Sequence, residues 1–345
     1  MNTKGSHWSP RERFLAALSG VHPDRTPVAH VSALTSVENQ TATGCSMPSA
    51  HTDPESLVRL SAANHEFLGF DAVSFIINYF TEPAALGCEM DWGAPNKLPM
   101  YLTHPWSEPE DAVIPADFLD RTPVKECLQT LKLAKQKCGD KIAVLGKTMG
   151  PLSMVQVMHG VENVMFGMLD EPDKIRRFLD VAADTIVKYA NAQFELGIDA
   201  LAIGEGGAGA NMLSPEMHEE FLLTVHQKLI KAIDGPVVMH ICGDITPRMR
   251  LLSQTGMSCF NFDWSIDPTV MKKQSQGKFR IMGNINTADL FHSTPDVIEN
   301  QVYKCLDAGV DIISPGCAVS PECPNSNFIA MSQAVLKWNA ERGSE

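Results

Sequence analysis

Short apolar runs recur along the chain, and the most regular of them begin directly after a glycine. Residues 68–73 read Leu-Gly-Phe-Asp-Ala-Val, and the same order of residue types returns at 196–201 and 308–313, with a looser copy at 255–260. Glycine ends helices because it adopts the left-handed conformation without steric cost. An uninterrupted apolar run is typical of a strand that is buried on both faces. Each copy therefore predicts the end of a helix followed by a buried parallel strand.

Four further apolar runs follow turn signals, at 27–31, 142–145, 236–241 and 279–282. Together with the glycine-led runs they make eight candidate strands, and helical patterns separate most of them. Ser9-Pro10 opens the first helix, because Ser caps a helix and Pro fits its first position. The other predicted helices run roughly over 54–68, 121–138, 172–196, 215–233, 295–308 and 324–341.

Strands and helices that alternate in about eight units predict an α/β protein of the (β/α)8, or TIM, barrel type. The alternative is a doubly wound open sheet, which the lack of a GxGxxG turn after the first strand disfavours. Residues 78–120 are rich in Pro, Gly and acidic residues and fit no simple unit. We interpret them as a long loop excursion over the barrel mouth, within a single domain that spans 1–345.

The amino-acid composition disfavours several classes of function. The chain of 345 residues is 44% apolar and carries a net charge of -13, so it can form a large core but would repel nucleic acids and anionic lipids. It contains no apolar run of about 18 residues, the length that a membrane helix needs. Neither a secretory signal nor a regular cysteine pattern is present, and the nine cysteines are expected to be reduced thiols in the cytoplasm.

The strongest chemical signal is the His240-x-Cys242 pair at the end of the strand predicted over 236–241. Residues at i and i+2 of a strand point to one face, and catalytic groups converge at the carboxyl ends of barrel strands. Cys317 follows the last predicted strand, so all three side chains would meet at the same end of the barrel. Histidine nitrogen and cysteine thiolate are preferred zinc ligands, which predicts a zinc site of His240, Cys242 and Cys317.

Other interpretations of these residues stay open. A His-x-Cys pair by itself is more often a core histidine beside a buried cysteine. Cys323 competes with Cys317 for the third position, although it directly precedes Pro324 at a predicted helix start. Asp263, at the end of the next strand, is a candidate for the fourth ligand.

Several segments resemble the methylcobamide:coenzyme M methyltransferases of the uroporphyrinogen decarboxylase superfamily. The His240-x-Cys242 pair followed at a distance by Cys317 is similar to the His-x-Cys-xn-Cys zinc motif of that group. Framework segments also match across nearly the whole chain, among them 11–18, 24–28, 63–66, 189–192, 213–215, 240–244 and 315–321.

The resemblance implies a uroporphyrinogen decarboxylase-like barrel and a cytoplasmic enzyme. Such an enzyme moves a methyl group from a methylated corrinoid, usually held on a corrinoid protein, to a small thiol such as coenzyme M. Zinc would activate the thiol, because a bound zinc ion deprotonates a coordinating thiol. The metal must then keep one exchangeable position, which Asp263 or a water would fill until the thiol arrives. Glu205, at the end of the strand that begins near residue 200, either faces the cavity as a proton acceptor or an alternative metal ligand, or faces water.

The sequence leaves three alternatives open. The first is an enzyme whose methyl acceptor is tetrahydrofolate, or one that demethylates a methylated substrate onto a corrinoid. The second is a barrel that binds a corrinoid or tetrapyrrole without catalysis. Decarboxylation of a porphyrinogen is disfavoured, because residues 28–44 contain no arginine to hold the substrate carboxylates.

Overall fold

Eight parallel strands form the central sheet in a computed structural model that describes residues 8–31, 34–75 and 80–342. In chain order they are β1 (Ala29–His30), β2 (Ala72–Ser74), β3 (Ala143–Met149), β4 (Ala200–Gly204), β5 (Val237–Ile241), β6 (Cys259–Phe262), β7 (Arg280–Ile285) and β8 (Ile312–Pro315). Each strand pairs with the next, and a parallel bridge between Val28 and Ile313 closes β1 onto β8. The predicted (β/α)8 barrel is confirmed.

Helices surround this sheet, and those predicted from the sequence are present. The first is Pro10–Ser19, where the Ser9 side chain accepts from the Glu12 N–H and the Glu12 carboxylate accepts from the Ser9 N–H. The other predicted helices lie at Pro54–Glu66, Val124–Cys138, Pro172–Glu195, Pro295–Asp307 and Asn325–Arg342, while the one expected over 215–233 is divided into Pro215–His218, a π-helical turn at Glu219–Leu223, and Thr224–Ala232.

Further helices fill connections for which the sequence pattern predicted none. They lie at Val37–Thr43, Thr81–Ala85, Pro151–His159, Val161–Asp170, Met249–Leu252, Pro268–Ser275 and Thr287–His292. None of the helices within the described ranges is both long and apolar enough to cross a bilayer.

The barrel interior is filled by alternate residues of the strands. A buried cluster takes at least one side chain from every strand, most of them small, and adds Phe14, Ala17 and Leu18 of the first helix. The helix Pro10–Ser19 therefore packs against the interior at the end where the strands begin. Because that end is closed, the carboxyl ends of the strands are left to form a cavity.

The repeated Gly-x-Asp sequence has a structural role at the closed end. Each aspartate carboxylate accepts a hydrogen bond from a backbone N–H at the start of the neighbouring strand, at 2.9 Å in every case: Asp71 from Val28, Asp199 from Val144, and Asp311 from Ile281. Each is also paired with cations, namely Arg13 and Arg25, Arg11 and Lys135, and Lys272 and Arg280. The repeat thus joins adjacent strands and belongs to the fold, away from the mouth.

The long connection between β2 and β3 contains the segment that we interpret as an excursion over the mouth. Its first two residues, 78 and 79, lie outside the described residues. The remainder holds the helix Thr81–Ala85 and a two-stranded antiparallel ribbon of Met90–Asp91 with Met100–Tyr101. Phe80 and Tyr101 line the cavity at the carboxyl end of the barrel. Their position supports the excursion, which stays a proposal, as does the single-domain organisation of 1–345.

Candidate metal centre

Three ligand-type side chains meet at the carboxyl end of the barrel. His240 lies in β5, Cys242 follows that strand, and Cys317 follows β8. Their ligand atoms all lie within 4.8 Å of one another. His240 Nε2 is 3.2 Å from Cys242 Sγ, which is 3.5 Å from Cys317 Sγ. The structure therefore brings together the three residues that the sequence proposed as metal ligands, at a spacing that one ion could bridge.

The ring of His240 is oriented by the neighbouring strand. Its Nδ1–H donates to the backbone carbonyl of Asn261 at 3.1 Å, so Nε2 is left to face the two sulfurs. A second partner of this kind fixes the tautomer of a metal-binding histidine. Asn261 is itself held, because its amide donates to Ser314 Oγ and to the carbonyl of Pro315. No sequence pattern had marked Asn261, although a polar side chain inside a buried strand is a usable signal.

Charge in the metal-free centre is concentrated on one sulfur. The hydrogen bond between the sulfurs of Cys242 and Cys317, with a further contribution from His240, lowers the pKa of Cys317 well below its ordinary value. The same interaction and burial raise the pKa of Cys242 far above its ordinary value. Burial alone would lower the pKa of His240, but its hydrogen bond to Cys317 outweighs burial and raises it. The site is therefore disposed to present a thiolate.

This asymmetry predicts the pH dependence of alkylation in metal-free protein. A lowered pKa keeps Cys317 as a thiolate at neutral pH, and the thiolate is lost only as the pH falls through that lowered pKa. An ordinary thiol with a pKa of about 8.5 is almost fully protonated at pH 6. We expect iodoacetamide to label Cys317 at pH 6 nearly as fast as at pH 8, measured by peptide mass spectrometry. A rate that falls steadily below pH 8 would contradict the assignment.

The sulfurs face a cavity of about 280 Å³. Cys242 and Cys317 are partly exposed, while His240 is buried. The rings of Phe80 and Tyr101 meet edge to face across 5.7 Å on one side of the cavity. The remaining wall residues are Met149, Ser153, Gln156, Val157, Val161, Gly204, Gly206, Gly207 and Ala318. A small molecule that enters this cavity can reach the ligand atoms directly.

Asp263, the predicted fourth ligand and catalytic carboxylate, lies just beyond β6. Its side chain is buried, and one carboxylate oxygen accepts from the Ser265 N–H at 2.9 Å. Its carboxylate is not among the ligand atoms that lie within 4.8 Å of one another. Its charge still acts on the centre, since it contributes to the raised pKa values of His240 and Cys242. The structure thus places Asp263 near the metal centre but outside the ligand group, and its role stays a prediction.

Glu205, the other predicted catalytic residue, is fully buried and does not face water. Its carboxylate accepts from the backbone N–H groups of Leu152 and Ser153, at 3.3 and 2.8 Å, and from Ser153 Oγ at 2.9 Å. His226 Nε2 donates to it at 3.1 Å. A Cβ added at Gly150 would lie 2.3 Å from this carboxylate, so the chain requires glycine there.

These contacts place Glu205 behind the cavity wall, at the start of the helix Pro151–His159. It does not line the cavity, and its catalytic role stays a prediction. His226, which lies 21 residues further along the chain, was missed by the sequence analysis because nothing in its helical pattern points to a partner in another element.

The remaining cysteines lie away from the centre. Cys323, the competitor for the third ligand position, is buried, and Cys259 is enclosed within the barrel interior. All nine cysteines fall within the described residues and are free thiols.

Comparison with known proteins gives consistent results over the whole chain. The profile of the uroporphyrinogen decarboxylase (URO-D) family matches residues 9–338. The methylcobamide:CoM methyltransferase MtaA of Methanosarcina barkeri is 30% identical over 338 residues, which cover 97% of this chain and 100% of the relative. A methylated-thiol–coenzyme M methyltransferase of Methanosarcina mazei is 29% identical, with 95% of this chain and 89% of the relative covered.

A solved structure agrees with the sequence relatives. A methyltransferase from Methanosarcina mazei superimposes with a TM-score of 0.93 at 29% identity, and the match covers 96% of this chain and 99% of that one. The chain therefore belongs to the uroporphyrinogen decarboxylase family, in the group that contains the methylcobamide:CoM methyltransferases.

Proposed function

We propose that this protein is a zinc-dependent corrinoid methyltransferase that moves a methyl group from a methylated corrinoid to a thiol. The observation that carries the proposal is the meeting of His240 Nε2 with the sulfurs of Cys242 and Cys317 at the wall of a cavity. The relatives support it, since they are named as methylcobamide:CoM methyltransferases. Coenzyme M is the acceptor in the names of those relatives.

The three side chains fit zinc by the chemistry of their donors. One imidazole nitrogen and two thiolates form a set that zinc prefers, and three protein ligands leave a fourth position for substrate. Because the two sulfurs are partly exposed to the cavity, that position would be open to a thiol. When bound, zinc supplies a Lewis acid that converts the substrate thiol to a thiolate at neutral pH.

The chain's own residues then act on the acceptor. His240 is held in place by Asn261, so it keeps the site in a fixed geometry. Cys242 and Cys317 supply negative charge, which keeps the substrate sulfur electron-rich enough to attack carbon. The new sulfur–carbon bond forms while the cobalt–carbon bond of the donor breaks. The electron pair of the broken bond stays with cobalt, and the proton of the thiol passes to solvent.

Cavity size supports a donor that docks from outside. A corrin macrocycle with its side chains is larger than a space of about 280 Å³, so only the methyl group and its cobalt face would approach the mouth. The helix Val161–Asp170 begins at the cavity wall with Val161 and exposes Phe166 and Leu169 to solvent, at 66% and 72% of their full area. Exposed apolar side chains beside a mouth are suited to contact with a partner, here a corrinoid protein.

Metal analysis and a methyl-transfer assay test the proposal. We expect about one zinc per chain, as for a catalytic zinc site, and transfer from methylcobalamin to small thiols, measured by product mass. Metal-free protein should be inactive and regain activity with zinc. Transfer to tetrahydrofolate in place of thiols would favour the first alternative, and corrinoid binding without zinc or transfer would favour a non-catalytic barrel. The cytoplasmic location and the lack of a nucleic-acid partner stay predictions from the sequence.

A further inference from the structure

We propose that the acceptor of this enzyme is a small thiol with an uncharged, apolar substituent, and that anionic thiols such as sulfonates and carboxylates are disfavoured. The inference rests on the proposed function, because it names the class of thiol that the zinc site would activate. Four features of the cavity carry it: the apolar wall, the engaged polar wall groups, a helix start already filled by a carboxylate, and the negative charge around the sulfurs.

The wall facing the sulfurs is mainly hydrocarbon and aromatic. Phe80, Tyr101, Met149, Val157 and Val161 supply the large side chains of the lining. The described residues that line the cavity include no lysine or arginine. An anionic group that loses water in such a space needs a cation or several donors, and without them its burial is strongly unfavourable.

Two polar side chains of the wall, Ser153 and Gln156, are already hydrogen-bonded to the protein. Ser153 Oγ donates to Glu205 at 2.9 Å and accepts from the Gly207 N–H at the same distance. Gln156 Nε2 donates to the carbonyl of Gly207 at 3.1 Å. These bonds join the helix Pro151–His159 to the loop after β4. A ligand would have to break the bond to Glu205 to recruit Ser153 as a donor, because a hydroxyl has a single O–H.

The first turn of the helix Pro151–His159 is suited to binding an anion, but a carboxylate of the chain already occupies it. Free N–H groups and the positive end of the dipole make the first turn of a helix attractive to anions. Here the N–H groups of Leu152 and Ser153 already point to the carboxylate of Glu205. That carboxylate is fully buried. A second anion placed close by would meet a negative charge in surroundings of low dielectric constant.

The centre adds negative charge of its own. The combined negative charge of two cysteine thiolates and a substrate thiolate exceeds the positive charge of a divalent metal. The carboxylate of Asp263 also lies near enough to influence His240 and Cys242.

Lys147 is a buried basic residue of the barrel strands. It lies on β3 opposite Ala202, it is 2% exposed, and it does not line the cavity. Burial lowers its pKa to about 7, although the charge of Glu82 acts in the opposite direction. A sulfonate in the cavity would therefore not contact Lys147 at the cavity wall.

A matched pair of thiols tests the inference. Coenzyme M, which is 2-mercaptoethanesulfonate, differs from 2-(methylsulfonyl)ethanethiol mainly in its negative charge, and 1-propanethiol adds a hydrocarbon of similar length. Binding is measured on Co²⁺-substituted protein by the thiolate-to-cobalt absorption band, independently of turnover. Transfer is measured on zinc protein with methylcobalamin. We expect the neutral thiols to bind at least about tenfold more tightly and to show a correspondingly higher kcat/KM.

Two variants test which residues determine the preference for uncharged thiols. Val161→Lys places a cation on the half-buried rim of the cavity and should improve coenzyme M while it weakens 1-propanethiol; Val161→Met is the size-matched neutral control. Lys147→Met removes the buried amine and should leave the preference for neutral thiols unchanged. A selective loss of coenzyme M binding in Lys147→Met would show that Lys147 holds the sulfonate and would overturn the inference.

The outcomes separate the inference from the proposed function. Coenzyme M binding as tightly as its neutral analogue overturns the inference and leaves thiol methylation intact. Preferential binding of neutral thiols to the cobalt protein, without transfer from methylcobalamin or a methylated corrinoid protein, supports the inference about the cavity and overturns the proposed reaction.

Discussion

The Cys317→Ala protein is expected to lose both its stoichiometric zinc and its methyl transfer activity. Cys317 is one of three ligand atoms in the group, and its sulfur lies 3.5 Å from that of Cys242. Losing even an outer partner of a zinc ligand lowers metal affinity about 10- to 100-fold, so we expect the loss of a direct ligand to exceed about 100-fold. Zinc is measured by elemental analysis after dialysis against a chelator, and transfer from methylcobalamin is measured on the same sample.

The control is Cys323→Ala, which removes a cysteine from the same connection. Cys323 is 1% exposed and lies outside the ligand group, so this variant should keep zinc and activity. Thermal unfolding of both variants shows whether either has lost its fold. If Cys317→Ala retained zinc at the wild-type level, Cys317 would be removed from the centre; if Cys323→Ala lost zinc while folded, Cys323 would take its place.

The strands were predictable because each carries its own local signal. A buried parallel strand is a short apolar run, and in three copies it follows Gly-x-Asp, whose aspartate joins it to its neighbour at the closed end. The helix Pro151–His159 gave a much weaker signal, because only the spacing of Met154 and Met158 fits one face of a helix. All nine of its residues are buried, so it lacks the polar face that gives an amphipathic helix its period. A helix enclosed on every side looks like any other apolar segment in sequence.

Only the part of the metal centre that follows from strand geometry could be predicted from the sequence. His240 and Cys242 follow the period of two that places alternate residues on one face, and the structure brings them together with Cys317. Asp263 and Glu205 each follow the last residue of their strands, as Cys242 does. Neither has a ligand-type residue two positions earlier that would mark the face they share with the centre. Nearby backbone N–H groups orient the two carboxylates instead. Asp263 accepts from the N–H of Ser265, and Glu205 accepts from the N–H of Ser153.

Replacing Glu205 with alanine is expected to lower the free energy of unfolding by about 3 kcal/mol or more, because each buried donor left without its acceptor costs about 1–3 kcal/mol. The change leaves the N–H groups of Leu152 and Ser153, together with His226, without their shared acceptor. All of these groups are buried, and water cannot easily replace the carboxylate. Urea unfolding measures the change. Glu220→Ala is the control, because Glu220 forms an exposed pair with Arg176 and should cost less than about 1 kcal/mol.

Glu205→Gln separates support of the cavity wall from catalysis. Glutamine keeps the size of the side chain and one carbonyl acceptor, so it should restore part of the stability that alanine loses. If Glu205 only supports the wall, kcat in folded Glu205→Gln protein should stay within about threefold of wild type, and activity should fall with temperature only as the protein unfolds. A folded Glu205→Gln protein with a kcat reduced about 100-fold or more would instead show proton transfer by this carboxylate, since general acid–base catalysis contributes about 10²- to 10⁴-fold. In that case Glu205 must reach the cavity in a conformation other than the buried one described above.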